Sequence, residues 1–234
     1  MILIGAAKAG KTSLRNALML GKSKLTAEHE RTWVLERHLW EPESDLRVQL
    51  LDFGGHHIYS AAHHLFLTPE ALHVLVCDLS KYSPDLYDYM VGSWIDAIID
   101  RAPGATILLV GTHADMCEEH QIEEHTINII EKMQADEKEK VQDLQFEVEK
   151  LKMDLKATTG KDSGTKFEDI KPQRLREKLN HLHKLLNERV PLPDKMYVVS
   201  CAEDFLNIPE FKADLTKKLK ETDERPFQKH GICS

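Results

Sequence analysis

The sequence predicts an α/β fold with a mainly parallel sheet and helices on both faces. Short apolar runs rich in Ile, Leu and Val alternate along the chain with longer stretches of helical periodicity, as in sheets built from strand–helix–strand units. Glycine and polar residues follow several of the apolar runs, at the strand ends where such sheets bind ligands. At 234 residues, with 41% hydrophobic side chains, the chain is long enough to bury one sizeable core.

The first predicted strand, residues 1–4, leads into a glycine-rich loop. This strand is a short apolar run that suits a buried parallel strand, and residues 12–20 have the periodicity of a helix. Between them the sequence GAAKAGKT, from Gly5 to Thr12, matches the pattern G-x-x-x-x-G-K-[ST] in full. A strand, this loop and a helix in this order predict a phosphate-binding site.

Each fixed position of this phosphate loop has a chemical role. Gly5 and Gly10 let the backbone approach a phosphate that a Cβ atom would obstruct. Lys11 is predicted to reach the β- and γ-phosphates, and the hydroxyl of Thr12 to bind Mg²⁺. Backbone N–H groups of the loop and of the helix start complete the anion site. We expect these groups at Lys8, Ala9, Gly10, Lys11, Thr12 and Ser13.

Two further strands, residues 33–40 and 46–51, are predicted on either side of a polar turn that contains Pro42. The second strand ends in LLDFGG, which places Asp52 at the strand end and Gly55 three residues later. In phosphate-loop enzymes an aspartate so placed orients the water shell of Mg²⁺, and the glycine N–H meets the γ-phosphate. The triplet DFG also occurs in protein kinases, but no His-Arg-Asp catalytic loop precedes it here and a kinase domain would not fit upstream.

Residues 72–77 and 106–110 are the next predicted strands, and the second of them runs into a motif for base recognition. An aspartate can accept hydrogen bonds from the ring N–H and the exocyclic amino group of guanine, a donor pair that adenine lacks. Asp115 is therefore predicted to read guanine, with Thr112 and His113 beside it. His113 stands where lysine is usual.

The last predicted strand covers residues 197–200. Its final residue, Ser200, and the two that follow, Cys201 and Ala202, are all small. Small side chains at this strand end allow a backbone N–H to approach the carbonyl oxygen of guanine. The remaining predicted helices of the sheet cover residues 85–100 and 208–220.

The interval between Asp115 and Ser200 holds a long helical insert, at about residues 118–190. Apolar residues of its first helix follow the alternate spacing of a coiled-coil seam, at Val141, Leu144, Val148, Leu151 and Leu155. After a break rich in Gly, Ser and Thr, a second helix opened at Pro172 carries one apolar side, formed by Leu175, Leu179, Leu182 and Leu186. The two stripes predict an antiparallel hairpin. It is either an arm that contacts a partner or a second copy, or an elaborated helix that packs on its own domain, or a partly disordered loop.

Composition narrows the class of protein. A net charge of −8 argues against nucleic acid or an anionic membrane as the main partner. The apolar stretches are too short for a transmembrane segment. Four cysteines lie far apart without metal-type spacing, which favours reduced thiols and a cytoplasmic location. They are Cys77, Cys117, Cys201 and Cys233.

Taken in order, these four motifs resemble those of a Ras-like P-loop G domain. The sequence segments around them narrow the resemblance to one family of such domains. DFGGHHIY from Asp52, HHLFLT from His63 and THAD from Thr112 are similar to the Roc domain of the ROCO family. The similarity covers residues 1–117 and resumes at residues 196–220.

This resemblance implies a guanine-nucleotide switch that binds GTP or GDP with Mg²⁺ and hydrolyses GTP within a larger signalling scaffold. Roc domains are normally followed by a dimerising COR domain, so a COR-like domain of the full-length chain, other protein partners and a possible homodimer are expected. The chain is accordingly expected to be part of a longer polypeptide. A G domain at residues 1–222 would then be followed by a linker or tail at residues 223–234.

The resemblance also assigns roles to individual residues. In the first switch loop a threonine would complete the Mg²⁺ shell, and Thr32 is the first choice with Thr26 as the alternative. The remaining assignments are Gly5, Gly10, Lys11 and Thr12 to the phosphate loop, Asp52 and Gly55 to the metal and γ-phosphate, Asp115 to the base, and Ser200 and Cys201 to the last loop.

His56 departs from the Ras-like pattern, which has a glutamine there to orient the attacking water. A neutral imidazole can still accept a hydrogen bond from water, and Lys11, Mg²⁺ and backbone donors stabilise the transition state. With His56 and Lys11 as catalytic residues, slow hydrolysis is expected. The alternative is a nucleotide-binding interaction module with negligible turnover. An ATP-using phosphate-loop protein is a third interpretation.

Overall fold

Two compact units make up the chain, of which Glu131–Arg189 is one and Met1–Ile130 with Val190–Ser234 is the other. We call them the hairpin unit and the sheet unit. The structure, a computed structural model, describes residues 1–26, 32, 35–54, 66–159 and 170–223.

Six strands and five helices are present in the described ranges. The strands are β1 Ile2–Ile4, β2 Leu35–Glu43, β3 Leu46–Phe53, β4 Leu72–Asp78, β5 Thr106–Thr112 and β6 Met196–Val198. The helices are α1 Lys11–Leu20, α2 Ser93–Arg101, α3 Glu119–Thr159, α4 Ile170–Asn187 and α5 Ile208–Asp223.

The strands form one sheet in the order β2-β3-β1-β4-β5-β6. β2 and β3 are antiparallel, and every other neighbouring pair is parallel. All seven residues of β4 are buried, and successive side chains of a strand point to opposite faces, so both faces of the sheet are covered. The carboxyl ends of β1, β3, β4, β5 and β6 therefore share one edge, which is where the predicted motifs follow.

Burial of one sheet face against α1 and α5 fixes the phosphate loop at that edge. Leu14 and Leu18 of α1 and Phe211 and Leu215 of α5 share an apolar cluster with sheet residues such as Val74. All five are at most 1% exposed, so the helix that follows the loop is packed over most of its length.

Several predicted bounds differ from the structure by a few residues, such as the last strand, predicted at 197–200 and found at Met196–Val198. Two differences change the local structure itself. Pro42 was predicted in a turn but lies within β2, at a register irregularity between Trp40 and Glu43. Proline is tolerated there because β2 is an edge strand whose outer N–H groups have no ladder partner. The helix predicted at 85–100 is also interrupted, because a π-turn at Asp88–Gly92, where Ser93 N–H donates to the carbonyl of Asp88, precedes α2.

The hairpin unit confirms that the two apolar stripes pack against each other. Val148, Leu151 and Leu182 form its buried cluster, with Leu144, Leu175, Leu179 and Leu186 packed around them. The ion pairs Glu147–Lys178 and Glu137–Arg189 join positions whose numbers run in opposite directions. The helices are therefore antiparallel.

Candidate functional site

The phosphate loop between β1 and α1 has a backbone that only glycine permits at its first position. Gly5 has φ of +136°, and a Cβ there would lie 2.2 Å from the carbonyl oxygen of Val76. Gly10 has φ of +82° and forms the amino-terminal cap of α1. Lys8 also adopts positive φ, at 64°. These conformations curl the chain around a space that backbone N–H groups and the α1 terminus surround.

Lys11 is held against the inside of this loop. Its ammonium group donates to the carbonyl oxygens of Gly5 at 2.9 Å and Ala6 at 2.7 Å. Burial lowers the pKa of Lys11 to about 8, and the negative charge of Asp52 offsets part of this effect. A buried cation held only by neutral carbonyls favours an anionic ligand, which would restore its charged form.

Hydroxyl groups and a carboxylate meet beside Lys11. Thr12 Oγ1 lies 3.1 Å from Thr32 Oγ1, whereas Thr26 Oγ1 is 3.4 Å from the Ser13 hydroxyl. Asp52, at the end of β3, is fully buried, and neither of its carboxylate oxygens has a hydrogen-bond partner among the described residues. Burial raises the pKa of Asp52, although Thr12 and the cations Arg15 and Lys11 act in the opposite direction. Free carboxylate oxygens near hydroxyls suit a hydrated divalent cation.

Arg15 was missed by the sequence analysis, although it lies one helical turn after Lys11 and therefore on the same face of α1. Its Nη1 donates to Glu36 Oε2 at 2.5 Å and to His38 Nε2 at 2.6 Å, and lies 3.3 Å from Asp52 Oδ2. Desolvation opposes ionisation of Glu36, yet the hydrogen bond and the charge of Arg15 lower its pKa overall. Arg15 thus connects the carboxylate at the end of β3 to strand β2.

The loop after β5 lies directly against the phosphate loop. Thr112 Oγ1 is within donating distance of the carbonyl oxygens of Ala9 at 2.9 Å and Cys77 at 3.1 Å. A Cβ built on Gly10 would be 3.3 Å from Thr112 Oγ1 and 3.4 Å from the ring of His113. The predicted phosphate-binding and base-recognition residues are therefore brought together at one edge of the sheet.

Asp115 is oriented by the last loop. The hydroxyl of Ser200 lies 2.8 Å from Asp115 Oδ1 and 2.6 Å from Asp204 Oδ1, and it accepts a hydrogen bond from Ala202 N–H at 3.1 Å. One hydroxyl proton can serve a single carboxylate at a time, so the two carboxylates compete for it. The N–H of Ala114 donates to the carbonyl of Val199 at 3.4 Å, which ties the two loops together.

Asp78, at the end of β4, is a second buried carboxylate that the sequence analysis did not single out. Burial opposes its ionisation, but hydrogen bonds from Lys81 and Ser80, with the charges of His113 and Lys81, lower its pKa overall. Its Oδ1 lies 3.3 Å from Nδ1 of His113. Its place at a strand end, between two strand ends already selected, was the available signal.

Cys201 does not have the surroundings of a reactive thiol. Burial and the charges of Asp115 and Asp204 raise its pKa to about 12. Its backbone carbonyl instead accepts a hydrogen bond from Ser23 at 2.9 Å, which anchors the last loop to the segment after α1. Two predicted site residues, Gly55 and His56, lie outside the described residues.

Comparison with known proteins identifies the type of domain that residues 1–115 form. Residues 1–115 match the family model described as Ras of Complex, Roc, domain of DAPkinase. These residues belong to the Roc family. The resemblance drawn from the sequence is confirmed, and the chain carries a Roc/Ras-like GTPase-type domain.

The alignment with some relatives covers more of the chain than the Roc family model does. The chain is 28% identical over 221 residues to malignant fibrous histiocytoma-amplified sequence 1 homolog of Mus musculus, covering 87% of this chain and 21% of that protein. It is 30% identical over 125 residues to leucine-rich repeat serine/threonine-protein kinase 1 of Mus musculus, covering 50% and 6%. The chain thus spans about a fifth of the length of the first of these relatives.

A solved structure confirms the fold of the Roc domain and its helical insert. It is the Methanosarcina barkeri Roco2 RocCORdC protein bound to GDP, with a TM-score of 0.51 and 19% identity, covering 94% of this chain and 48% of that one. The Ras-like α/β class is therefore confirmed. None of the helices in the described part of the chain combines the length and apolar composition that crossing a bilayer requires.

Proposed function

We propose that the chain is a guanine-nucleotide switch that binds GTP or GDP with Mg²⁺ and hydrolyses GTP slowly. The observation that carries the proposal is the contact between the phosphate loop and the loop that bears Asp115. Thr112 Oγ1 lies 2.9 Å from the carbonyl oxygen of Ala9 in the phosphate loop, so one ligand can span both loops. A nucleoside diphosphate has this combination of an anionic tail and a ring with polar edges.

In the proposed complex the phosphates occupy the space lined by backbone N–H groups from Lys8 to Ser13, and Lys11 turns its charge toward them. Asp115 accepts the paired donors of guanine, while Ser200 holds its carboxylate in place. Cys201 and Ala202, which follow Ser200, would lie beside the base in this complex. Asp115 is exposed in the ligand-free chain, and a bound base would cover it. Adenine lacks the donor pair, so its binding would cover the carboxylate without pairing it, and ATP is disfavoured.

The residues present fit a magnesium ion. Asp52 offers two buried oxygens without hydrogen-bond partners among the described residues, and the hydroxyls of Thr12 and Thr32 lie 3.1 Å apart. These hard oxygen donors suit Mg²⁺, which would be held by Thr12, Thr32 and, through water, Asp52. When bound, the ion neutralises charge on the β- and γ-phosphates.

We propose His56 and Lys11 as the residues that support hydrolysis. Lys11 would stabilise charge on the transferred phosphoryl group, and Gly55 N–H would contribute a further donor. His56 would accept a hydrogen bond from the attacking water. An imidazole in place of the usual amide is the reason to expect a slow rate.

The domain bounds and the protein partners belong to the same proposal. Residues 1–222, with the insert at about 118–190, would form the G domain, and residues 223–234 a linker or tail. The RocCOR neighbour and the one-fifth coverage of the first relative support a COR-like domain elsewhere in the full-length, cytoplasmic signalling protein. Homodimerisation would depend on that domain or on the hairpin.

Nucleotide-dependent thermal unfolding tests the proposal. GDP with Mg²⁺ should raise the melting temperature and ADP should not, because linkage stabilises only the state that binds. Asp115→Ala should remove the difference between the two nucleotides, and Asp143→Ala, an exposed carboxylate of the hairpin unit, serves as the matched control. Equal protection by GDP and ADP would contradict guanine recognition by Asp115.

Single-turnover hydrolysis of bound GTP tests the enzymatic part. The wild type should hydrolyse slowly and His56→Ala more slowly still, by roughly tenfold, which is less than a group that transfers a proton contributes because His56 would only orient the water. A rate that is the same in both would favour the interaction module with negligible turnover.

A further inference from the structure

Arg15 is a buried cation that the proposed nucleotide chemistry does not use. Its side chain is 11% exposed, and its Nη1 lies 3.3 Å from a carboxylate oxygen of Asp52, which is itself fully buried. Buried ionic groups are costly unless they are paired, so the pair is a specific arrangement of the core. The side chain occupies α1 one turn beyond Lys11 and reaches across to strand β2.

Asp52 lies beside Arg15 without a hydrogen bond between them. Nη1 carries two N–H bonds, and two closer acceptors take them, Glu36 Oε2 at 2.5 Å and His38 Nε2 at 2.6 Å. Nε and Nη2 both face Asn16 Oδ1. This leaves both oxygens of Asp52 without a hydrogen-bond partner in the described ranges. Arg15 therefore attracts the Asp52 carboxylate electrostatically without donating a hydrogen bond to it. The lone pairs of Asp52 stay available for other donors.

We propose that Arg15 is a positioning residue for Asp52, a fixed internal cation that reduces the dependence of nucleotide retention on Mg²⁺. Glu36 and His38 of β2 set the strength of this effect, because they hold the guanidinium protons away from the carboxylate. The proposal rests on the proposed binding of guanine nucleotide and deepens it. It makes strand β2, at the sheet edge, part of the control of the metal site.

The physical reason is that a guanidinium and Mg²⁺ are attracted to the same carboxylate. Without Arg15, Asp52 would be a buried charge with only Lys11 nearby, so that removal of the metal would leave it uncompensated. With Arg15 present, part of that charge is balanced when the metal is absent. The metal-free nucleotide complex is therefore stabilised relative to the metal-bound one.

The experiment measures release of a fluorescent GDP analogue from the protein in millimolar Mg²⁺ and in excess EDTA. The readout is the ratio of the two release rates, EDTA over Mg²⁺. Arg15→Met keeps the length and apolar stem of the side chain and should raise this ratio on the order of tenfold. Arg47→Gln is the matched control, since Arg47 is an exposed arginine paired with Glu41 on the β2–β3 hairpin, and it should leave the ratio unchanged.

A second variant should change the ratio of the release rates in the opposite direction. Glu36→Ala frees one N–H of Arg15 to donate to Asp52, so the internal cation competes better with Mg²⁺ and the ratio should fall roughly threefold. Glu36 is half exposed, with 47% of its side chain accessible, so this variant is expected to fold. Glu41→Ala removes an acidic residue from the same strand and should have no effect on the ratio.

An unchanged or lower ratio in Arg15→Met, in a variant that still binds GDP, overturns the inference and leaves the proposed function standing. If Arg15→Met fails to fold by circular dichroism, Glu36→Ala decides, and an unchanged or higher ratio in it overturns the inference. A wild-type protein that does not bind the GDP analogue contradicts the proposed function, and the inference then falls with it.

Discussion

The sheet unit buries ionisable side chains around the phosphate loop, whereas the cluster that closes the hairpin unit is apolar. Lys11, Arg15, Asp52 and Asp78 are all buried at or beside the strand ends of the sheet. The hairpin cluster consists of valine and leucine, and the ion pairs Glu147–Lys178 and Glu149–Lys152 involve exposed side chains. The ion pair Glu137–Arg189 at the base of the hairpin is more covered, with side chains 20% and 15% exposed. Burying a charge costs free energy, so a fold keeps buried charges where a ligand or a partner charge compensates them.

The two units therefore differ in what their buried residues do, since those of the hairpin stabilise the fold and those of the sheet unit also form a site. The hairpin gains stability from the apolar surface that it buries, and nothing in its described core resembles a site. In the sheet unit, the Asp52 carboxylate has no hydrogen-bond partner among the described residues, and burial disfavours the charged form of Lys11. These groups lower the stability of the ligand-free protein and leave its site ready for an anionic ligand. Four predictions test this contrast between the two units.

The largest effect is expected from Gly5→Ala. A methyl group there would lie 2.2 Å from a backbone carbonyl oxygen, in a conformation that alanine rarely adopts. Destabilisation of the sheet unit by about 4 kcal/mol is expected from the clash and strain together, measured by denaturant unfolding. Gly21→Ala is the matched control, since Gly21 also has positive φ but nothing within 4 Å of an added Cβ. Equal losses in both variants would contradict the close-approach argument.

Leu182→Ala should destabilise the hairpin unit by about 3 kcal/mol, because it opens a cavity in a small apolar cluster. Leu182 is 5% exposed, whereas Leu185 on the same helix is 36% exposed. Leu185→Ala should therefore cost less than about 1 kcal/mol. Hydrogen exchange of α3 and α4 measures both. Loss of GDP affinity in Leu182→Ala would show that the site depends on hairpin packing.

The pH dependence of stability should separate the buried lysine from the exposed ones. Burial lowers the pKa of Lys11 from 10.5 to about 8, so between these values the unfolded chain binds more protons than the folded one. Lys11 should therefore contribute a rise in the stability of the ligand-free protein with pH across that window, by about 2 kcal/mol between pH 8 and pH 9.5. The buried thiols of Cys77 and Cys201, whose pKa is raised to about 12, contribute a fall in the same window, so the Lys11 slope is the difference between the wild type and Lys11→Met.

Chemical unfolding at several pH values measures this slope. Lys11→Met should remove it, whereas Lys178→Met, at an exposed ion pair of the hairpin, should leave it in place. GDP should flatten the slope, since phosphates favour the charged ammonium. A slope that persists in Lys11→Met would assign the titration to another group.

The smallest effect is expected from removing most of the hairpin. Glu137 and Arg189 form an ion pair, so residues 138–188 can be replaced by a short Gly-Ser linker that joins them. GDP affinity should stay within about twofold of the wild type, because no predicted nucleotide contact lies in that segment. A tenfold loss, measured by titration with a fluorescent GDP analogue, would contradict the separation of the two units.

Much of the site could be predicted from the sequence because its chemistry is local. The phosphate loop needs glycine, lysine and a hydroxyl at fixed spacing, and strand ends of a parallel sheet meet at one edge whatever the details of packing. Asp52, Asp115 and Ser200 could thus be selected before any coordinate was known. The hairpin followed from heptad spacing for a similar reason, since seven-residue periodicity encodes a face directly.

Other features depended on contacts between residues distant in sequence. Pro42 reads as a turn until β2 is known to be an edge strand, and the π-turn before α2 has no simple sequence signature. Arg15 reads as an ordinary polar position of a surface helix. Only the packing of α1 beside β2 and β3 reveals that its charge faces Asp52.

By itself, therefore, the sequence determined the order of strands and helices, the phosphate loop and the stripe of leucines, because each depends on spacing along the chain. Only the tertiary structure decided which charges are buried and what compensates them. Burial and pairing are set by neighbours tens of residues away, such as Glu36 for Arg15 and Asp115 for Ser200. Local periodicity carries no information about such neighbours.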